Sequence, residues 1–416
     1  MNCKKSNCRW LLTVSIVLFA VWLGPAAAHA EMCVLDEVPA ATLLLPYFEV
    51  SLDNPERNAI VTVNNATPEP TLLHVTFWTD WGVPSIDFDI FLTGYDVQVF
   101  NLYEMFSVGY VPITADDQSD PGDTISPAGD PSWDGDIQDC QNFFPFYVNP
   151  LINGNNLDRL RRGHTGQPGP GSAPEDACFG SPSPGLARGY MTFDVARRCS
   201  TEFAMEPDYF VGLNPVVMAE NRVFGDVTYL VTPTGPESPK AYTLPLVHIE
   251  ADPSFDADST ASAATFYGRY AAGGADHREP LGATWAVPFY DDQLITSIRA
   301  WRDSTAVADA TDGYPCDTGP PVSIDHQAIQ CWNDQEDVVE LCASGDCFAT
   351  ETQSISVDTL TLPWSRGWCR LDLRTNGDSP AQSWVSALHN PSGGDGPASS
   401  LPAMSLGGAC TGSPVP

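Results

Sequence analysis

Eight aspartates crowd one stretch of the chain: Asp116, Asp117, Asp120 and Asp123, then Asp130, Asp134, Asp136 and Asp139. Carboxylates interleaved with glycine and proline suit a hard cation. Calcium takes about six to eight oxygens, from carboxylates and carbonyls, on a backbone able to curl around it. Calcium is therefore the one ion the sequence suggests. The spacing fits no standard calcium loop, because the segment from Asp130 to Asp136 lacks the closing glutamate. A solvated acidic loop is the plainer reading of the same residues.

A second constellation lies upstream. Period-two alternation puts His74, Trp78 and Asp80 on one side of a strand, and Asp87 and Asp89 on one side of the next. A hairpin around Gly82-Val83-Pro84 would bring them together. Two carboxylates about 5–10 Å apart are what glycoside hydrolysis requires, one as acid and one as base or nucleophile. The competing reading is an ordinary wet sheet face whose charges discourage aggregation. Tryptophans can stack on sugar rings. Trp78 and Trp368, placed by alternation on the polar sides of their strands, are with His74 the candidate ligand contacts.

Other chemistry fails on inspection. Ser181 and Ser183 lie in Gly180-Ser181-Pro182-Ser183-Pro184-Gly185, whose prolines prevent the strand–turn–helix of a nucleophile elbow. Gly377-Asp378-Ser379-Pro380 lacks the glycines that a serine protease signature would add. There is no His-Glu-x-x-His and no phosphate-cradling glycine loop. The balance leans away from an enzyme.

The elements that must position these residues are strands. Alternating segments predict strands at 42–50, 58–64, 72–78, 86–92, 95–100, 190–195, 223–232, 247–250, 264–271, 283–289, 294–301 and 369–373. Helices are few: a turn or two from Leu102 to Phe106 and a short one over 155–162. Many short strands with turn residues between them predict a mainly β chain. Its expected form is an antiparallel β-sandwich, one large or two packed, with long disulfide-tied loops. The expected layout is a core over 31–302 carrying an Asp/Pro/Gly-rich insert at 112–187, then a Cys-rich part at 303–416 with closing strands and a flexible tail.

Residues 1–30 read as an export leader. Lys4, Lys5 and Arg9 precede an apolar run from Leu11 to Leu23, and Pro25 comes before Ala28-His29-Ala30. After its removal no integral membrane segment is expected, since the apolar run itself is shorter than the roughly 20 residues of a spanning helix. Ten cysteines then remain: Cys33, Cys140, Cys178, Cys199, Cys316, Cys331, Cys342, Cys347, Cys369 and Cys410. An even number in an oxidising compartment reads as disulfides, with the pairing open. The whole chain has 19 basic residues against 53 acidic ones, a net charge of −34. Such a surface repels phosphate backbones and anionic lipids, which disfavours nucleic acid and membrane partners. Neutral glycans, proteins and cations are still admitted.

Several segments carry a resemblance. Leu44-Leu45-Pro46-Tyr47-Phe48-Glu49-Val50, Trp78-Thr79-Asp80-Trp81 and Leu92-Thr93-Gly94-Tyr95-Asp96-Val97 are similar to segments in a group of secreted bacterial proteins of unknown function. The likeness covers roughly 42–302 and implies a bacterial envelope or extracellular setting, with no reaction attached. The reading that follows is an exported, non-enzymatic β protein that binds a glycan or surface protein or builds surface structure, with calcium as a stabiliser. A polysaccharide hydrolase using Asp80, Asp87 or Asp89 and a surface-layer or filament subunit are the alternatives.

Overall fold

In strand after strand, apolar residues recur at every second position, and each such strand needs a partner layer to cover that side. A computed structural model describes residues 38–112, 152, 154–168, 177–206, 208–231, 240–252, 265–270, 276–290, 294–303, 314–316, 328–341, 347–373, 382–391 and 399–406. The leader, the acidic run from Asp116 to Asp139, and Cys33, Cys140, Cys342 and Cys410 lie outside the described residues.

The chain is mainly β and antiparallel. Its first part holds β1 (Thr42–Ser51), β2 (Asn58–Asn65), β3 (Thr71–Thr79), β4 (Pro84–Leu92), β5 (Val97–Asn101), β6 (Ala177–Cys178), β7 (Leu186–Ala196), β8 (Val223–Val231), β9 (Lys240–Pro245) and β10 (Val247–Ile249). Two helices interrupt them, α1 (Leu102–Val108) and α2 (Gly154–Thr165). Asn101 caps α1 by accepting from the Glu104 amide, and Gly109 ends it at φ 79°, a left-handed conformation that glycine adopts without a side-chain penalty. One sheet has the order β10-β1-β7-β3-β4 and the other β5-β2-β8-β9. They close on a core that includes Leu43, Phe48, Val61, Val63, Phe77, Phe88 and Phe193.

The second sandwich comprises β11 (Thr284–Tyr290), β12 (Leu294–Arg302), β13 (Tyr314–Pro315), β14 (Ala328–Trp332), β15 (Val338–Leu341), β16 (Thr352–Ser356), β17 (Arg366–Asp372), β18 (Ser383–Pro391), β19 (Ser399–Pro402) and β20 (Met404–Ser405), with β13 paired apart to β6. Its sheets run β15-β14-β17-β11-β20 and β16-β12-β18-β19. Trp285, Val287, Phe289, Ile298, Leu371 and Val385 fill the space between them. Strands β11 and β12 pair with β17 and β18, so this sandwich draws strands from both sides of residue 302.

The same core cluster reaches Leu44, Trp78, Tyr190, Val247 and Ile249 of the first sandwich. The β10-β1-β7-β3-β4 sheet is therefore covered on both faces, and all of β3 is buried. The expected strand at 264–271 is instead a pair of turns where described: Gly268 bonds back to Thr265, Tyr270 bonds back to Tyr267, and the Tyr267 amide donates to the Asp276 carboxylate. Local turn bonds and a long-range carboxylate outcompete the pleat there. Cys178 is bonded to Cys316 and Cys331 to Cys369, while Cys199 and Cys347 are also oxidised in disulfides. Among the described residues, no helix is long and apolar enough to cross a membrane.

Candidate ligand-binding face

The hairpin of β3 and β4 forms, and it brings His74, Asp87 and Asp89 together. His74 Nδ1 lies 2.9 Å from Asp89 and Nε2 lies 3.9 Å from Asp87. Register extends the row across the sheet, from Thr42 on β1 to Asp194 on β7, His74 on β3 and Asp89 on β4. The row is not a wet face. His74, Asp89 and Asp194 are each fully buried, because the connecting segments that carry Ser200, Tyr209, Tyr267 and Arg278 cover this end of the sheet. The expectation of an exposed polar side for His74 and Trp78 is thereby corrected. Single-strand alternation counts polar residues as outward, whereas here they line an interlayer.

Buried charge persists only where it is matched. Asp194 accepts from the Tyr209 and Tyr267 hydroxyls, both at 2.7 Å, and also from Thr42, while Arg278 Nε stands 3.6 Å away. Asp89 accepts from His74 and from the Ser200 amide at 3.0 Å. Burial by itself would depress the His74 imidazolium, but Asp89, with Asp87 and Asp194, outweighs it and holds the pKa up at about 9. Burial pushes Asp87 up to about 6 against the pull of His74. These groups make an internal ion-pair layer largely closed off from solvent.

Trp78 and Asp80 are equally enclosed. Trp78 is 1% exposed, stacks on Tyr190 at 5.7 Å and on Tyr270 at 5.9 Å, and donates from Nε1 to Thr192. Asp80 accepts from the Ser181 amide at 2.9 Å, and burial raises its pKa to about 6. It stands apart from the His74 row. Neighbouring Glu351 accepts from Tyr190 and Arg269, and Arg269 also pairs with Asp303 at 3.0 Å.

Trp368 alone of the aromatic candidates reaches the surface, at 40% exposure. It lies on the outer side of β17, directly opposite Trp332 of β14, and the two rings stack at 4.6 Å with planes 19° apart. The row continues to exposed Val338 on β15 and to Pro288 on β11. The next outward row is polar: Glu340, Gln330 and Arg370 on successive strands. Exposed Tyr290 is two residues beyond Pro288 on the same side of β11. Aromatic surface bordered by an amide, a guanidinium and a carboxylate offers both stacking and directed hydrogen bonds, the combination a hydroxylated ring ligand needs. Beneath it the Cys331–Cys369 bond joins the same two strands at opposed positions.

Trp332, Gln330 and Arg370 were not singled out by sequence. A signal was nonetheless present: Cys331-Trp332 and Trp368-Cys369 are mirrored dipeptides. If those cysteines bridge two antiparallel strands at opposed positions, the tryptophans must face each other one step along. The acidic run lies outside the described residues, and among those described no group of three or more His, Cys, Asp or Glu is placed to hold a metal. No family model, no curated protein and no solved structure matches the chain.

Proposed function

We propose that this chain is an exported, non-enzymatic binding protein whose recognition surface is the outer face of the β15-β14-β17-β11-β20 sheet, and that its ligand is an uncharged glycan. The observation that carries the reading is the stack of exposed Trp368 on half-buried Trp332, beside Gln330 and Arg370. Net charge supports an uncharged ligand, because a chain at −34 repels uronate- or sulfate-bearing polymers. The bonded cysteines and the leader-like start support export to an oxidising compartment. Burial of Asp80 and Asp89 removes the support that a polysaccharide hydrolase reading drew from those carboxylates. Calcium belongs to the proposal as the ion the acidic run would take.

The test is a glycan array screened with and without calcium, followed by titration of any hit against wild type and Trp368→Ala. Loss of an aromatic anchor at the centre of a site costs at least about 1.4 kcal/mol, so affinity should fall tenfold or more. Unchanged affinity in that variant, or hits confined to anionic glycans, would remove this face from the account.

A further inference from the structure

Where the two sandwiches meet, β12 presents Arg299 to the first one. Its guanidinium carbon sits 4.4 Å from the ring centre of Tyr229, 5.2 Å from that of Tyr47 and 5.4 Å from that of Tyr242. Ring faces stabilise a cation but leave its in-plane N–H groups unspent. Arg299 Nε and Nη1 are buried with no hydrogen-bond partner. Two residues on, Trp301 is 3% exposed, and its Nε1 is also buried without an acceptor. Both residues line one small void together with Pro46, Tyr47, Tyr229 and Ser386. That void leaves about 10 Å³ for the centre of a water-sized guest.

The nearest counter-charge is already committed. Glu49 accepts from Arg188 at 2.7 Å, from Arg57, and from the Tyr47 hydroxyl at 3.2 Å. Glu49 therefore serves Arg57 and Arg188 by direct contact and Arg299 only through space, within a chain whose net charge is −34. An unpaired buried donor costs about 1–3 kcal/mol, and more when it is charged. The unspent groups on Arg299 and Trp301 are donors only. A water placed among them could donate to the Tyr242 hydroxyl, itself buried without a partner, but would bring no charge, whereas a small anion accepts from every donor and supplies the missing charge.

We propose that the space between Arg299, Trp301 and Ser386 is a binding site for a monovalent anion of chloride size, which fastens the second sandwich to the tyrosine cage of the first. The site is separate from the aromatic face, and neither needs the other.

Thermal unfolding of the full exported chain in sodium chloride, bromide or gluconate at one ionic strength tests it. Chloride and bromide should raise Tm in a saturable way while gluconate does not. Trp301→Phe keeps an aromatic ring but removes the indole N–H donor, and should raise the half-saturating halide concentration about tenfold, the worth of one charge-assisted hydrogen bond. Arg299→Gln should abolish the halide response; should that variant not fold, Trp301→Phe carries the test. A bromide-soaked crystal should show an anomalous peak within the cage. Equal Tm in chloride and gluconate, an unshifted halide response in Trp301→Phe, or bromide peaks only elsewhere would each overturn the site.

Discussion

Removing the Cys331–Cys369 bond, by Cys331→Ala together with Cys369→Ala, probes the link between scaffold and binding face. The bond closes a loop with a sequence separation of 38. Chain-entropy reasoning for a loop of that length gives about 4 kcal/mol of stabilisation. That is a large part of the roughly 5–15 kcal/mol by which folded domains survive. Urea unfolding followed by tryptophan fluorescence would show it. With a slope of about 3 kcal/mol per M, the transition of the second sandwich should move down by about 1.3 M. The coupled-tryptophan signal in circular dichroism should weaken as well, because Trp332 and Trp368 adjoin the two cysteines and stack at 4.6 Å only while the strands hold register. A midpoint displaced by less than about 0.3 M, with the tryptophan coupling intact, would show that strand pairing alone fixes the platform and that the entropic account is wrong.

Two further outcomes follow from the buried ion-pair layer. His74 titrates in the folded chain at about 9, above its unfolded value of about 6.5. Its contribution, about 3 kcal/mol, should therefore be complete below about pH 6.5 and vanish as pH rises through about 9. Tm measured between those limits should fall in wild type and run flatter in His74→Gln; parallel profiles would refute the assignment. Asp194→Ala leaves the buried hydroxyls of Tyr209 and Tyr267 without their acceptor, takes the carboxylate from Thr42, and leaves Arg278 with Asp276 as its one carboxylate partner among the described residues. A loss of about 3–5 kcal/mol is expected by denaturant titration, and a shift under about 1 kcal/mol would mean those groups find other partners.

Period-two alternation, turn residues and cysteine parity were enough to expect an antiparallel, disulfide-bonded chain, because each is a local property of the pleat or of the compartment. The β3–β4 hairpin was legible for the same reason: Gly82-Val83-Pro84 is a local turn signal. The fate of His74 and Trp78 was not. Alternation separates one side of a strand from the other but does not say whether a second layer covers the polar side, and here the segments around Tyr209, Tyr267 and Tyr270 do. Likewise, Thr265–Tyr270 carries strand-like residues but is held in turns by Asp276 and by its own backbone bonds.

What the sequence determined by itself was the type of element, the acidity and the presence of disulfide chemistry, since these depend on residues and their near neighbours. Only the tertiary structure decided which polar groups are interior counter-ions and which aromatic pair stands outside. Burial and cross-strand register are set by segments hundreds of residues apart, as with Thr352 bonded to the Pro46 carbonyl. Local spacing carries no trace of such contacts.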